Sequence, residues 1–234
     1  KQQVTSRRLY FQPEGKLGYE PPKAGDPTPY DAYVSDPNKP VPYRARPILP
    51  TFGRGSTWSQ WLADDQRFVQ DRPDVVAWET PALTEEVTIA GDLVAKLYAA
   101  TTGTDADWVV KLIDVFPEDD PKLGGHQFMV ANDVLRGRFR NSFEKPEAIT
   151  PNKTTAFSVN LHTQNYRFKK GHKIRVQVQS SWFPLIDRNP QTFVPNIFTA
   201  KATDFRAASQ RIYRSPTFSS FLQMSIVTPN PIVP

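Results

Sequence analysis

The sequence predicts an all-β protein, an antiparallel β-sandwich or jelly roll with one or two short helices. Three observations carry this reading. Several runs alternate strictly between apolar and polar residues, turn-forming residues separate them, and the 23 prolines are spread along the chain. Alternation at period two places one strand face on a core and the other in solvent. Proline cannot donate to a central ladder, so its wide spacing favours short strands joined by turns. Many short strands with little helix belong to sandwiches and jelly rolls.

The elements follow in order of clarity. In Lys173-Ile174-Arg175-Val176-Gln177-Val178-Gln179-Ser180 the apolar Ile174, Val176 and Val178 alternate with charged and amide side chains. Phe157, Val159 and Leu161 form a second such face, Leu222, Met224 and Ile226 a third, and Leu93, Ala95, Leu97 and Ala99 a fourth. Asp107 to Phe116 is apolar on both faces, as a central strand covered on each side would be. Ala90-Gly91-Asp92, Thr102 to Asp105, Leu123-Gly124-Gly125 and Lys169 to His172 carry turn chemistry between these runs. Two stretches look helical: Thr57 to Asp64, with Trp58, Trp61 and Leu62 at i, i+3 and i+4, and Asp204 to Gln210, with Asp204 as N-cap. Proline crowds residues 13–56, which show few alternations. We expect one domain over 1–234, with 1–56 as an N-terminal strand and a Pro-rich extended arm and 57–234 as the sandwich core.

Composition narrows the function classes. No stretch approaches the roughly 20 apolar residues of a membrane helix, so no membrane association is expected, and Lys1 to Arg8 leads into no apolar signal segment. The chain starts at Lys1 without an initiator Met, as a processed product or excised piece would. With no cysteine, disulfides, thiolate nucleophiles and Cys-ligated zinc are all removed. The net charge of +5 comes from scattered clusters rather than a track. The densest, Arg136-Gly137-Arg138-Phe139-Arg140, would put three arginines on one strand face, as a solvated or interface face rather than a phosphate track. Nucleic acid is not the expected partner.

Catalytic chemistry is hard to find. A serine hydrolase needs a nucleophile activated by a carboxylate-oriented histidine, and no serine sits in a G-x-S-x-G elbow. His126, His162 and His172 fall at turns or strand ends, where surface histidines suffice to explain them. They show no metal-ligand pairing, and Glu118-Asp119-Asp120 and Asp105-Ala106-Asp107 read as solvated acidic turns rather than calcium loops. No catalytic residue, metal or cofactor is expected. Two aromatic segments stand out instead: Trp58 to Phe68, and Trp182-Phe183-Pro184-Leu185-Ile186-Asp187-Arg188-Asn189 directly after a strand, with Asp187 and Arg188 as a buried-looking pair. They suit either a well-packed corner or a docking surface, since aromatics with Arg are typical interface anchors.

Several blocks resemble the C-terminal domain of the X-Pro dipeptidyl-peptidase and cocaine-esterase superfamily. They are Asp65-Gln66-Arg67-Phe68, Arg72-Pro73-Asp74-Val75, Thr80 to Glu85, Asp107 to Pro117, Arg136 to Arg140, Phe168 to His172, and Ser180 to Ile197. The last block most resembles the α-amino acid ester hydrolases, also labelled glutaryl-7-ACA acylases. The resemblance runs from about Leu9 to Val227 and implies an antiparallel jelly-roll β-sandwich. It implies a non-catalytic domain that buttresses an α/β-hydrolase domain carrying the Ser-His-Asp triad and walls part of its cleft. It also allows a homo-oligomer and points to the periplasm or cell exterior. The family's triad has no counterpart here. Pocket and interface support is expected from Trp182, Phe183, Asp187, Arg188 and Asn189, then from Trp58, Trp61, Asp65 and Arg67. An exposed apolar patch should mark the docking face. The alternative is a self-sufficient carbohydrate- or ligand-binding jelly-roll module, which would need two tryptophans exposed side by side. Trp78 and Trp108 lie in core-like runs and do not suit it.

Overall fold

The computed structural model describes residues 3–49 and 52–228. Eleven strands form one hydrogen-bonded network: β1 (Gln3–Gln12), β2 (Lys16–Gly18), β3 (Tyr30–Ser35), β4 (Val75–Glu79), β5 (Val87–Thr101), β6 (Asp107–Val115), β7 (Gln127–Arg136), β8 (Thr155–Phe168), β9 (Lys173–Gln179), β10 (Ala208–Tyr213) and β11 (Phe221–Thr228). In the first layer β5 is central, with β8 along one edge and β10 and β11 sharing the other. β3 flanks β10, and β1 flanks β11. The second layer runs β4–β9–β6–β7, antiparallel throughout. β2 joins the layers, antiparallel to β1 and touching β4 by a parallel bridge at Lys16 and Glu79.

Alternation explains which residues lie between the layers. Leu93, Ala95, Leu97 and Ala99 of β5, Phe157, Val159 and Leu161 of β8, and Ile174, Val176 and Val178 of β9 are all buried in the main core. Each large aliphatic or aromatic side chain so buried contributes about 1.5–3 kcal/mol relative to exposure. Trp78 and Trp108 are core as expected. Phe11 stacks on Trp78 at 4.2 Å and Trp108 meets Phe157 at 5.2 Å, so aromatic pairs tie one layer to the other. β6 is buried along its whole length. Its even positions Trp108, Val110 and Leu112 face the main core. Its odd positions face a second, smaller core of Tyr43, Val109, Met129 and Trp182.

Four local expectations are corrected. Ala90-Gly91-Asp92 lies inside β5 and not at a turn. The register with β8 shifts there, Gly91 takes φ 132°, and its missing side chain leaves room for Ser225, which a Cβ would meet at 3.1 Å. This is a bulge that bends a 15-residue strand. Asp204 ends a 3-10 turn (Ala202–Asp204) and accepts from the Lys201 amide at 2.8 Å. It caps no helix, because Ala208 onward is claimed by pairing with β3 and β5. The Pro-rich region contributes β3, whose Tyr33 and Ser35 are buried. Finally, the arginines of 136–140 do not share a strand face, because β7 ends at Arg136 and a 3-10 turn (Gly137–Phe139) follows. The Gly137 amide donates to the Ala106 carbonyl at 2.7 Å, an approach any Cβ would block at 2.8 Å. Arg138 then folds under to a buried ion pair with Asp105, Arg136 pairs with Asp107, and Arg140 donates to the Glu147 and Ala148 carbonyls. All helical segments among the described residues are short 3-10 turns.

Candidate docking and cleft-facing surface

The second core lies on the outer face of β6 and is roofed by two segments far apart in sequence. One combines Val41, Tyr43 and Ile48 with the 3-10 turns Trp58–Ala63 and Gln66–Val69. The other is the loop after β9. They zip together at Pro42 and Phe183: the Phe183 amide donates to Val41 O at 2.9 Å, and the Tyr43 amide to Phe183 O at 3.0 Å. In a 3-10 turn, residues three apart eclipse. Trp58 and Trp61 therefore lie side by side, 5.6 Å between rings. Trp61 meets the buried Trp182 edge-on at 5.8 Å, and Tyr43 contacts Trp61 at 6.0 Å. The result is an aromatic row running from Trp182 inside to Trp58, 36% exposed, outside.

Polar contacts hold the row. Arg44 Nε donates to Asp64 at 2.5 Å and Nη1 to the Thr57 hydroxyl at 2.9 Å, clamping both ends of the first turn. Asp65 caps the second turn, accepting from the Arg67 and Gln127 amides at 3.0 and 3.1 Å and pairing with the Arg67 guanidinium. Partial burial opposes ionisation of Asp65, but the bonds from Arg67 and Gln127 outweigh it and hold its carboxyl below the usual range. Arg67 also reaches the Gly124 carbonyl at 3.3 Å. Asn189 is buried and donates to Asp107 Oδ1 at 2.7 Å, while its own Oδ1 accepts from the Gln191 amide. Burial raises the Asp107 carboxyl to about 6 despite Arg136 and Asn189.

Of the nine residues expected to support a pocket or interface, Trp58, Trp61, Trp182, Phe183, Asp65 and Arg67 are brought round this one unit, while Asn189 is buried beside Asp107. One expectation is corrected. Asp187 and Arg188 are not a buried pair. Asp187 is exposed and offers its carbonyl to Arg136 at 3.0 Å. Arg188 turns the other way, donating to the Pro37 carbonyl at 2.9 Å and lying over the Phe183 and Phe205 rings at 5.6 and 4.9 Å. The histidine reading also changes. His172 is buried, its Nδ1 2.9 Å from Asp114, whose other oxygen accepts from the Tyr166 hydroxyl. This Asp114 hub ties β6, β8 and the β8–β9 turn together.

Sequence reasoning missed Lys111. It is fully buried on the outer face of β6, donating to Gln66 Oε1 at 2.8 Å and lying 4.7 Å over the Trp182 ring. Burial depresses its amine to about 7. A lysine inside a strand apolar on both faces was the available signal, because lysine is rarely buried without a partner.

Beyond the row, Leu49, Phe52, Trp58 and Leu62 are exposed within one short stretch of chain, Phe52 at 83%. A hollow of about 280 Å³ lies beside them, lined by Ile48, Leu49, Thr57, Asp64 and Phe68 among others. Sugar stacking would need two open ring faces; here Trp61 is half-buried against Trp182, and the three remaining tryptophans are buried.

Residues 1–223 match the family of the X-Pro dipeptidyl-peptidase C-terminal non-catalytic domain. The cocaine esterase of Rhodococcus sp. (strain MB1 Bresler) is 31% identical over 197 residues, which are 84% of this chain and 32% of that protein. The structure of an aminopeptidase from a marine sediment Thaumarchaeota archaeon superposes with TM-score 0.93 at 47% identity, over 96% of this chain and 37% of the other. A selenomethionine-labelled α-amino acid ester hydrolase gives TM-score 0.91 at 49% identity, over 95% of this chain and 36% of the other. The chain therefore spans about a third of the length of these relatives. With the jelly-roll layers, the Asp107–Asn189 corner and a family match along nearly the whole chain, this protein belongs to the X-Pro dipeptidyl-peptidase C-terminal non-catalytic domain family.

Proposed function

We propose that this chain works as the non-catalytic domain of a serine ester and amide hydrolase acting on α-amino acyl substrates. It buttresses an α/β-hydrolase domain that carries the nucleophile, and it walls part of the substrate cleft. Trp58 and Trp61 supply the wall. Trp182, Phe183, Arg188 and Asn189 brace it from beneath, and Asp65 with Arg67 fixes the turn that follows. The observation that carries this reading is the aromatic row that leaves a packed core and ends at the exposed side chains of Leu49, Phe52, Trp58 and Leu62. An exposed apolar run of this kind suits burial against a second domain. The similarity to an ester hydrolase and an aminopeptidase, both named for α-amino acyl groups, supports the substrate class.

The test compares the chain alone with the full-length protein on a p-nitrophenyl α-amino acid ester, with a serine-directed fluorophosphonate as label. Turnover and labelling should require the full-length protein, and Trp61→Ala there should raise KM about tenfold or more, the effect of a lost apolar contact in a pocket. A labelled serine within the isolated chain would overturn the assignment. An unchanged KM in Trp61→Ala would remove the cleft-wall role.

A further inference from the structure

One buried amine touches the inner end of the aromatic row and, through Gln66, the end of the turn that carries it. Lys111 Nζ lies 4.7 Å over Trp182, the inner end of the row. The same nitrogen donates to Gln66 Oε1 at 2.8 Å, and the Gln66 amide donates in turn to the Asp64 carbonyl at 2.8 Å. Asp64 is the residue that closes the turn carrying Trp58 and Trp61. From Lys111, one path therefore runs through Trp182 to Trp61, and a second runs through Gln66 to the end of the same turn. Gln66 is itself 1% exposed and Trp182 3%, so both paths leave Lys111 through buried side chains.

We propose that Lys111 is a positioning residue that sets the place of Trp61 and Trp58 through Trp182 and Gln66, and that it makes their place depend on pH. The proposal rests on the reading that this row lines the substrate cleft. Its physical basis is the absence of a carboxylate partner for Lys111 among the described residues. The acidic groups on this face and in the segments roofing it have cations of their own. Asp107 has Arg136, Glu79 of β4 has Arg175 and Lys173 of β9, Asp64 has Arg44, and Asp65 has Arg67 with His126 at 3.6 Å. In the loop after β9, Arg188 points to the Pro37 carbonyl and Asp187 is exposed. On β7 the residue opposite Lys111 is the uncharged Asn132.

A neutral amine suits this setting, with one N–H to Gln66 and a second near the ring. A proton adds a charge and a third N–H. The acceptor at hand is Gln177, directly across on β9, whose buried Oε1 has no partner. The new charge-assisted bond draws Nζ toward Gln177 on β9. Because Nζ anchors both paths, that displacement moves the tryptophan turn from the place it holds beside the neutral amine.

The test uses the full-length protein that contains this chain and p-nitrophenyl esters of phenylalanine and alanine. KM and kcat are measured from pH 5.5 to 8.5 in the wild type, Lys111→Met, Lys111→Arg and Trp61→Ala. For the phenylalanyl ester, the wild-type KM should rise about tenfold on acidification relative to Lys111→Met, which keeps the shape without the titrating group. Lys111→Arg, always charged, should show the high KM at every pH. The shape of the kcat profile with pH, set elsewhere, should be common to the wild type, Lys111→Met and Lys111→Arg. Identical pH profiles of KM in wild type and Lys111→Met would overturn the proposal. Trp61→Ala separates the two ideas: if it leaves KM unchanged, the cleft-wall reading fails. Tryptophan fluorescence of the 234-residue chain then judges Lys111 directly, since a transition near pH 7 should be present in the wild type and absent in Lys111→Met. A transition that survives Lys111→Met would also overturn the proposal.

Discussion

Replacing Arg138 by Met should be among the most destabilising single changes in this chain. Arg138 is 4% exposed and Asp105 0%. The guanidinium Nε donates to Asp105 Oδ2 at 2.7 Å, Nη1 donates to the Val194 carbonyl at 2.8 Å, and the group lies 4.7 Å over the Phe193 ring. Methionine would fill much of the stem's volume but leave the carboxylate buried, with the Ala106 amide at 2.9 Å as its remaining hydrogen-bond donor among the described residues. Breaking a buried pair from one side costs about 3–5 kcal/mol, because the orphaned charge keeps its desolvation penalty. Domains of ordinary stability have about 5–15 kcal/mol in total. With a urea slope of about 2 kcal/mol per molar, the unfolding midpoint should fall by about 2 M. The assay is urea unfolding followed by tryptophan fluorescence. Asp105→Asn combined with Arg138→Met should recover most of the loss, because no uncompensated charge remains. The solvent-exposed Arg167–Glu86 pair serves as control, and its removal should change almost nothing. A loss below about 1 kcal/mol for Arg138→Met would refute the reasoning, since that is the scale of a hydrated surface pair.

Two pH dependences follow from burial. Lys111 titrates near 7 when folded and near 10.5 when unfolded, so the unfolded chain binds the extra proton between those values and stability rises with pH across that window. The full difference is about 5 kcal/mol as an upper bound; Lys111→Met should flatten the slope and raise stability at pH 7, as thermal unfolding from pH 6 to 10 would register. Asp107 has the opposite sense. Its folded value is raised to about 6 against 3.8, so the folded chain binds the extra proton and stability falls by about 3 kcal/mol as pH rises from 4 to 6. Asp107→Asn should abolish that fall, and an unchanged slope in urea titrations would show that Asp107 is hydrated.

Strand faces were legible because burial in a sheet follows local parity. Phe157, Val159 and Leu161, or Ile174, Val176 and Val178, declare their inner face within six residues, and the layers bury them as read. The turns at 102–105 and 169–172 were likewise carried by local chemistry. Where parity failed, a non-local partner had overridden it. Ala90 to Asp92 has turn-like residues but continues as strand because β8 and β11 pair on either side. Asp204 has a capping side chain, yet the chain beyond it is recruited into β10. Arg136 to Arg140 looks like a strand face until β7 stops and the Ala106 carbonyl captures Gly137.

The same division holds for the functional surface. Sequence alone determined that this is a β-sandwich domain, that its family's triad is absent from it, and that the blocks around Trp58 to Arg67 and Trp182 to Asn189 are distinctive. Only the tertiary structure decided that those two blocks, more than a hundred residues apart, form one unit across the outer face of β6. It alone put Lys111 beneath them and separated Asp187 from Arg188. The reason is physical: parity and turn propensity act over a few residues, whereas a buried amine's partners and a guanidinium's direction are set by whatever distant segment excludes water from it.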